Sequence, residues 1–263
     1  MIKTTQHGIG YDEKKKNLAV RIDTHKRYST FSLEDWIGKS LSLKEGSYVL
    51  DLGCGNGNLF RAYSNKLGTT GLITGTDKSR ELLEEAHKEK TGTPTLLLEW
   101  DLNNRLPFLD QTFDFAISSF AVYYVENAGM IVKEIYRVLK MSGEMILIGP
   151  TDNNAKELYE FDKKVFGHEP DRKAAIRTAR IEKEFYLLAK EVFGNAIVDK
   201  IPSALAFPNK KEFIKYYKAT LLFQESTEKA GFTPDEEKLY SIDTPSFNIS
   251  KEMIVLRAKR HGQ

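Results

Sequence analysis

The sequence predicts an α/β protein: a doubly wound, mostly parallel sheet with a helical segment before it and helical insertions after its fifth strand. Two observations carry this. Between residues 46 and 150, short aliphatic runs alternate with amphipathic stretches of helical length, the pattern of a parallel sheet covered on both faces. A glycine-rich turn, Gly53-Cys54-Gly55-Asn56-Gly57, directly follows the first of those runs.

In chain order, residues 18–41 read as helical, with Leu18, Ile22, Phe31, Leu33, Trp36 and Ile37 spaced at three to four within each half. Ser32, ahead of Leu33-Glu34-Asp35, is placed to cap a second short helix. The run 48–52 is the first strand and 59–67 the first crossover helix. Strand-like 72–77 is followed by an amphipathic helix over 79–90, with Leu82, Leu83 and Ala86 inward. Strands are expected at 94–100, 113–119 and 144–149, with a helix over 128–139 whose inner face is Ile131, Ile135, Val138 and Leu139. Beyond Pro150 the alternation breaks. Helices are expected at 153–166, 174–193 and from 210 to about 224, a strand at 196–201, and a closing strand pair or one long strand over 247–258. No linker separates the halves. The chain therefore reads as one domain: an N-terminal helical lid (1–45), a cofactor-binding core (46–150), and helical insertions with closing strands (151–263) that form the acceptor side.

Composition narrows the function. With 263 residues, 41% hydrophobic and 29% charged, this is an ordinary globular chain able to bury a core. No apolar run reaches membrane-spanning length, and the N-terminus has no signal-peptide pattern, so a cytoplasmic location without membrane insertion is the expectation. The single cysteine, Cys54, leaves no disulfide framework or cysteine-based zinc cluster, and no His, Asp or Glu spacing suggests another metal. A net charge of +2, with interspersed signs, argues against a nucleic-acid partner. The basic cluster Lys14-Lys15-Lys16 reads as a solvated helix face. Oligomeric state is not legible.

The glycine turn carries the chemistry. Between a strand and a helix, glycines let backbone approach a ligand closely. Dinucleotide turns read G-x-G-x-x-G and lay a pyrophosphate on a helix N-terminus. Here Asn58 stands where the third dinucleotide glycine belongs, and Asp51 precedes the first glycine. A carboxylate at that point repels a pyrophosphate and suits a cation. Asp77, at the end of the second strand, is placed to accept hydrogen bonds from ribose hydroxyls, in a dinucleotide or another adenosine cofactor alike. Capping the next helix is its structural alternative.

On these residues the chain resembles the class I S-adenosylmethionine-dependent methyltransferases, with their Rossmann-like fold, and within them the small-molecule and quinone-biosynthesis type. The resemblance covers roughly 46–149. Val49-Leu50-Asp51-Leu52-Gly53-Cys54-Gly55-Asn56-Gly57 is similar to the first family motif, and Thr76-Asp77-Lys78-Ser79 to the ribose motif. Trp100-Asp101-Leu102 sits at the adenine-binding position, and Ser118-Ser119-Phe120-Ala121-Val122-Tyr123-Tyr124-Val125 at strand four and its loop. Arg137-Val138-Leu139-Lys140 with Gly143 matches the turn before strand five, although Lys140-Met141-Ser142-Gly143 replaces the usual Lys-Pro-Gly-Gly. Tyr123 and Tyr124 stand where many relatives carry histidines, and Ser118-Ser119-Phe120 lacks the motif of the nucleic-acid base methyltransferases.

The resemblance implies S-adenosylmethionine as cofactor and methyl transfer to an oxygen or nitrogen of a small molecule. It implies a cofactor site of Tyr28, Asp51, Gly53, Cys54, Gly55, Asp77, Lys78, Asp101, Leu102, Ser119 and Phe120. Asp51 would orient the methionine ammonium, Asp77 the ribose, and Asp101 with Leu102 the adenine. Ser119 and Phe120 would face the sulfonium, and Tyr28 would close on the methionine end. His25, Tyr123 and Tyr124 are the candidates for acceptor chemistry, with ordinary packing as the alternative. Tyr159, Phe161, Phe185, Tyr186, Phe213, Tyr216 and Tyr217 read as core first and acceptor lining second. The competing functions are a protein or RNA methyltransferase, a non-catalytic cofactor-binding module, and an NAD-dependent oxidoreductase.

Overall fold

The computed structural model describes residues 15–170, 176–177, 179–244 and 247–261. Two helices come first, α1 (Lys15–Tyr28) and α2 (Leu33–Ser40). The core then runs β1 (Tyr48–Leu52), α3 (Phe60–Leu67), β2 (Leu72–Asp77), α4 (Arg80–Ala86), β3 (Thr95–Glu99), β4 (Phe113–Ser119), a 3₁₀ turn (Val122–Tyr124), α5 (Ala128–Val138) and β5 (Leu139–Pro150). After it come α6 (Lys156–Phe166), a π-helical turn (Ile181–Phe185) continuing into α7 (Tyr186–Phe193), β6 (Ile197–Ile201) and β7 (Ala204–Ala206). The chain ends with α8 (Lys210–Lys218), α9 (Leu221–Ala230), α10 (Glu236–Ser241), β8 (Asn248–Ser250) and β9 (Met253–Lys259).

The main sheet has the order β3-β2-β1-β4-β5-β9-β6, with β1 to β5 parallel and β9 antiparallel to both of its neighbours. This is the doubly wound, mostly parallel sheet the sequence predicts. The alternation of side chains along each strand sets its two faces. Leu50, Leu52, Met145, Leu147, Ile254 and Leu256 pack under α5 and α7. Val49, Ile73, Ile117, Ile146, Ile148 and Val255 pack under α2, α3 and α4. A third apolar cluster joins α6, β7, α8, α9, α10 and β8.

Side-chain caps start the helices where the sequence signals them. Ser32 accepts from the Asp35 amide, Ser79 from Leu82, and Asn127 from Met130. Several boundaries differ from expectation. The helix expected over 79–90 ends at Ala86, because the exposed, charged 87–90 offers nothing to bury. The long helix expected over 174–193 contains a π turn, and residues 174–175 lie outside the described residues. The 210–224 helix is two helices, because Thr220 caps a new start at Leu221. The expected closing pair does not pair with itself: β8 pairs with β7, whereas β9 enters the main sheet between β5 and β6. Strand β7 and helix α10 are too short to show a period in the sequence. The aromatic residues behave mainly as core: Phe161, Phe213, Tyr216 and Tyr217 are buried in the third cluster and Phe185 in the first.

Candidate functional site

The chain winds outward from β1 to β3 on one side of the sheet and from β4 to β5 on the other. A crevice therefore opens where β1 and β4 end, the position at which open α/β sheets bind ligands. The glycine turn fills that crevice edge. Gly53, Gly55 and Gly57 all have positive φ, at 74°, 56° and 74°. At Gly53 no other residue fits: a Cβ would stand 2.2 Å from the Ala121 Cβ. At Gly55 a Cβ would meet nothing within 4 Å, so this backbone faces open space.

The turn is held from below. The Gly53 and Cys54 amides donate to the Thr76 carbonyl at 2.7 and 2.9 Å. One Asp77 oxygen accepts from the Gly55 amide and the other from the Ser79 amide, both at 2.9 Å. Asp77 thus pins the glycine turn to the end of β2. Ser79, not Asp77, caps α4. The Cys54 side chain points beneath the turn, its Sγ only 2.8 Å from where a Cβ on Gly75 would lie. Burial, with Asp51 and Asp77 nearby, pushes its thiol pKa up, so it is no nucleophile.

Asp51 is the charged group under the turn, and it is 2% exposed. Burial raises its carboxyl pKa to about 7, with a smaller push from Asp77. The Tyr63 hydroxyl beside it pulls the other way, yet that hydroxyl is buried without a hydrogen-bond partner of good geometry. A buried carboxylate poised near neutrality and an orphaned hydroxyl, next to an open glycine cradle, fit a cationic head group. They do not fit a pyrophosphate.

The other walls come from the ends of β3 and β4. The Trp100 amide donates to the Asp77 carbonyl at 2.9 Å, which brings Asp101 and half-buried Leu102 beside the end of β2. Exposed Asp101 uses one oxygen to accept from the Asn103 backbone and side-chain amides. Asn103 in turn accepts from the Glu126 amide at 2.7 Å, which ties this turn to the loop after β4. Lys78 is exposed. Ser119 is half-buried, and Phe120 is held at φ 56° with 38% exposure. A bulky residue in the left-handed region is strained, and such strain collects at working sites.

Two supports were not singled out from sequence. Ser118, fully buried, donates to the Leu52 carbonyl at 2.8 Å and accepts from the Val122 amide at 3.1 Å, locking β1, β4 and the following loop together. A serine in an otherwise apolar buried strand is the signal for it. Arg180 donates to the carbonyls of Tyr123 and Val125 at 2.8 and 2.5 Å and so anchors the 3₁₀ turn. Its signal is a charge between Ala179 and Ile181.

Tyr123 and Tyr124 stack at 4.6 Å between ring centroids. Tyr123 is buried over the end of β5, where a Cβ on Gly149 would come within 3.0 Å of its ring. Burial and Tyr124 hold its hydroxyl pKa well above normal. His25 is half-buried on α1, 3.5 Å from the Tyr216 hydroxyl. Burial first, then Lys251 and Arg21, lower its pKa to about 3. Tyr28 packs on Phe207 at 5.6 Å, toward the third apolar cluster rather than the glycine turn. Among the described residues no group of three or more His, Cys, Asp or Glu is placed to hold a metal ion.

Comparisons with known proteins place this architecture. Residues 50–147 match a family described as a methyltransferase domain. The chain is 37% identical over 111 residues to a demethylmenaquinone methyltransferase of Lactobacillus johnsonii, covering 41% of this chain and 45% of that one. It is 29% identical over 160 residues to a ubiquinone/menaquinone biosynthesis C-methyltransferase of Desulfotalea psychrophila, covering 59% and 63%. The matches span about half the length of these curated relatives. A solved structure of a candidate methyltransferase from Bacillus halodurans shares the fold with a TM-score of 0.61 at 16% identity, covering 88% of this chain and 100% of that one.

Fold, sheet order and site together define a Rossmann-like, class I methyltransferase domain. Residues 50–147 are the stretch that matches the methyltransferase-domain family, and S-adenosylmethionine is the cofactor expected with a domain of this type.

Proposed function

We propose that this protein transfers a methyl group from S-adenosylmethionine to a small-molecule acceptor. The observation that carries this is Asp51, a buried carboxylate under an open glycine cradle that Asp77 clamps from the neighbouring strand. Asp51 would face the methionine ammonium, and Gly53 and Gly55 would lie along the methionine and ribose. Asp77 keeps lone pairs for the ribose hydroxyls while it holds the turn. Asp101 and the Leu102 backbone would flank the adenine, and Ser119 and Phe120 the sulfonium. Cys54 and Lys78 would contribute backbone only.

When bound, the cofactor supplies an electrophilic methyl with a good leaving group. The protein's own work is therefore alignment and exclusion of water. Tyr123 and Tyr124, fixed by Arg180, form a rigid aromatic wall beside the cradle. Helix α1 brings His25 to that side, and its end is fastened by reciprocal hydrogen bonds between Thr30 and Ala204 at 2.9 and 3.0 Å. In this reading residues 15–40 act as a lid hinged on β7.

The methylated atom follows from the base available. With a pKa of about 3, His25 is neutral but too weak a base to deprotonate an alcohol or an ammonium. We assign it a positioning role and infer an acceptor that arrives already nucleophilic. An oxygen or nitrogen acceptor satisfies this when its own pKa is low. An electron-rich ring carbon satisfies it as well, and that reading is favoured by the C-methyltransferase among the relatives.

Calorimetry with S-adenosylmethionine, its demethylated product and NAD tests the proposal. Binding of the first two without NAD is expected. Binding of NAD alone would overturn it.

A further inference from the structure

Side chains alternate along β1, so Asp51 points to the same face of the sheet as Val49, the face packed under α2, α3 and α4. In register beside Asp51 stand Gly75 on β2 and Ile117 on β4. Gly75 brings no side chain. The room above it is taken by the Cys54 Sγ and the Phe60 ring, each 2.8 Å from where a Gly75 Cβ would lie. The start of α3 therefore lies over this part of the sheet.

Tyr63, about one helical turn on from Phe60, is fully buried in the same apolar cluster. Its hydroxyl makes no hydrogen bond of good geometry. A buried hydroxyl without a partner is costly, and a phenylalanine would fill the same space without that cost. The groups this hydroxyl interacts with are Asp51 and then Cys54. The neighbouring carboxylates are engaged elsewhere. Asp77 holds the Gly55 and Ser79 amides, and Glu144, buried on the same face two strands away, pairs with Arg257 at 2.7 Å.

Three titratable groups face Asp51: Tyr63 from α3, Asp77 from β2 and Cys54 from the turn. The side chains that α2, α4, β4 and β5 contribute to this cluster are apolar. Burial does most to favour the neutral form of Asp51, and the like charge of Asp77 adds to it. Cys54 is too deeply buried to ionise. Tyr63 alone among these favours the ionised form. Burial, and then Asp51, hold its own proton on well above the ordinary tyrosine range, so it acts as a donor only.

We propose that Tyr63 is a positioning residue for the methyl donor: its hydroxyl donates to Asp51, fixes which carboxylate oxygen meets the methionine ammonium, and holds that carboxylate ionised. This rests on the cofactor reading of the glycine cradle and adds a residue to it. An ionised carboxylate is a stronger acceptor than a protonated one, so the pair tightens as the ammonium enters.

The test is calorimetry from pH 6 to pH 9 on wild type and Tyr63→Phe, with S-adenosylhomocysteine and with methylthioadenosine, which keeps the adenosine but has no amino-acid end. The variant keeps the ring and removes the hydroxyl alone. Losing one hydrogen bond to a charged group is expected to move the pH midpoint of S-adenosylhomocysteine binding up by about one unit. Affinity at pH 6 then falls about tenfold, and the difference narrows to less than about twofold at pH 9. Methylthioadenosine affinity is expected to stay unchanged throughout. In an Asp51→Asn background, Tyr63→Phe should change S-adenosylhomocysteine affinity by less than about twofold. An unmoved midpoint, a loss equal at every pH, or a loss that extends to methylthioadenosine overturns the proposal. Should Tyr63→Phe not fold, Tyr63→Leu carries the same test, with the same upward shift expected. A wild type that binds neither ligand sinks the cofactor reading, whereas binding of both with an unmoved midpoint sinks this inference alone.

Discussion

Replacing Asp51 with Asn separates what the cradle does for the ligand from what it costs the fold. Burial moves this carboxyl from 3.8 to about 7. In the unfolded chain it titrates near 3.9. The folded state therefore holds the proton more tightly, and stability falls as pH rises from about 4 through 7. Above pH 7 the ionised side chain costs the ligand-free protein on the order of 4 kcal/mol. An Asn there carries no charge but remains a buried amide, which returns part of that difference. A net stabilisation of about 2 kcal/mol at pH 8 then raises Tm by roughly 4–8 °C. At pH 5, where Asp51 is protonated, the two proteins should melt within a degree or two of each other. Affinity for S-adenosylmethionine should move the opposite way and fall by about 30-fold or more, since a buried charge partner is lost. Thermal melts of the ligand-free proteins at both pH values, with calorimetry at pH 8, measure each effect. A variant that melts lower at pH 8 would refute the burial argument, and one that keeps wild-type affinity would refute the assignment of Asp51 to the ammonium.

The same titration predicts that wild-type cofactor affinity at pH 6 is about tenfold weaker than at pH 8, because a site of pKa near 7 must lose its proton first. Proton uptake or release measured in buffers of different ionisation enthalpy checks it, and a flat profile counts against it. Gly53→Ala should cost about 2–4 kcal/mol, since φ is 74° and the new Cβ would meet Ala121 at 2.2 Å. Its Tm reports this, and a neutral effect would mean the turn is not held as described. Asp77→Ala should weaken cofactor binding by at least tenfold and lower Tm, because the carboxylate clamps Gly55 and is proposed to face the ribose. Wild-type affinity in this variant would exclude the ribose role. His25→Asn should leave the pH profile of turnover between 6 and 9 unchanged, and loss of a limb near neutrality would restore His25 as a base.

Much of the fold could be read from sequence because it rests on local period. The strands at 48–52, 72–77 and 113–119 are short apolar runs flanked by turn residues, and their helices show one apolar face each. The partner of β9 was not legible. Met253-Ile254-Val255-Leu256 reads as a buried strand, but sequence does not say that it lies between β5 and β6 rather than against β8. The docking of the N-terminal segment was hidden for the same reason: Thr30 meets Ala204 across 174 positions of chain.

At the site, the division is similar. The sequence by itself determined the cradle. Asp51, Gly53, Gly55 and Asp77 are contiguous motifs on two adjacent strands, and backbone sterics with one misplaced charge suffice to choose among cofactors. Only the tertiary structure decided what packs around the loop after β4. Arg180 reaches the carbonyls of Tyr123 and Val125 across more than fifty positions of chain and shares no motif with them. The contact of Tyr28 with Phe207 is likewise set by packing, which decides which face of α1 meets which neighbour. A local turn is fixed by dihedral angles and is written in adjacent residues. A pocket between distant elements is fixed by how their apolar faces dock, and that is decided only when the whole chain folds.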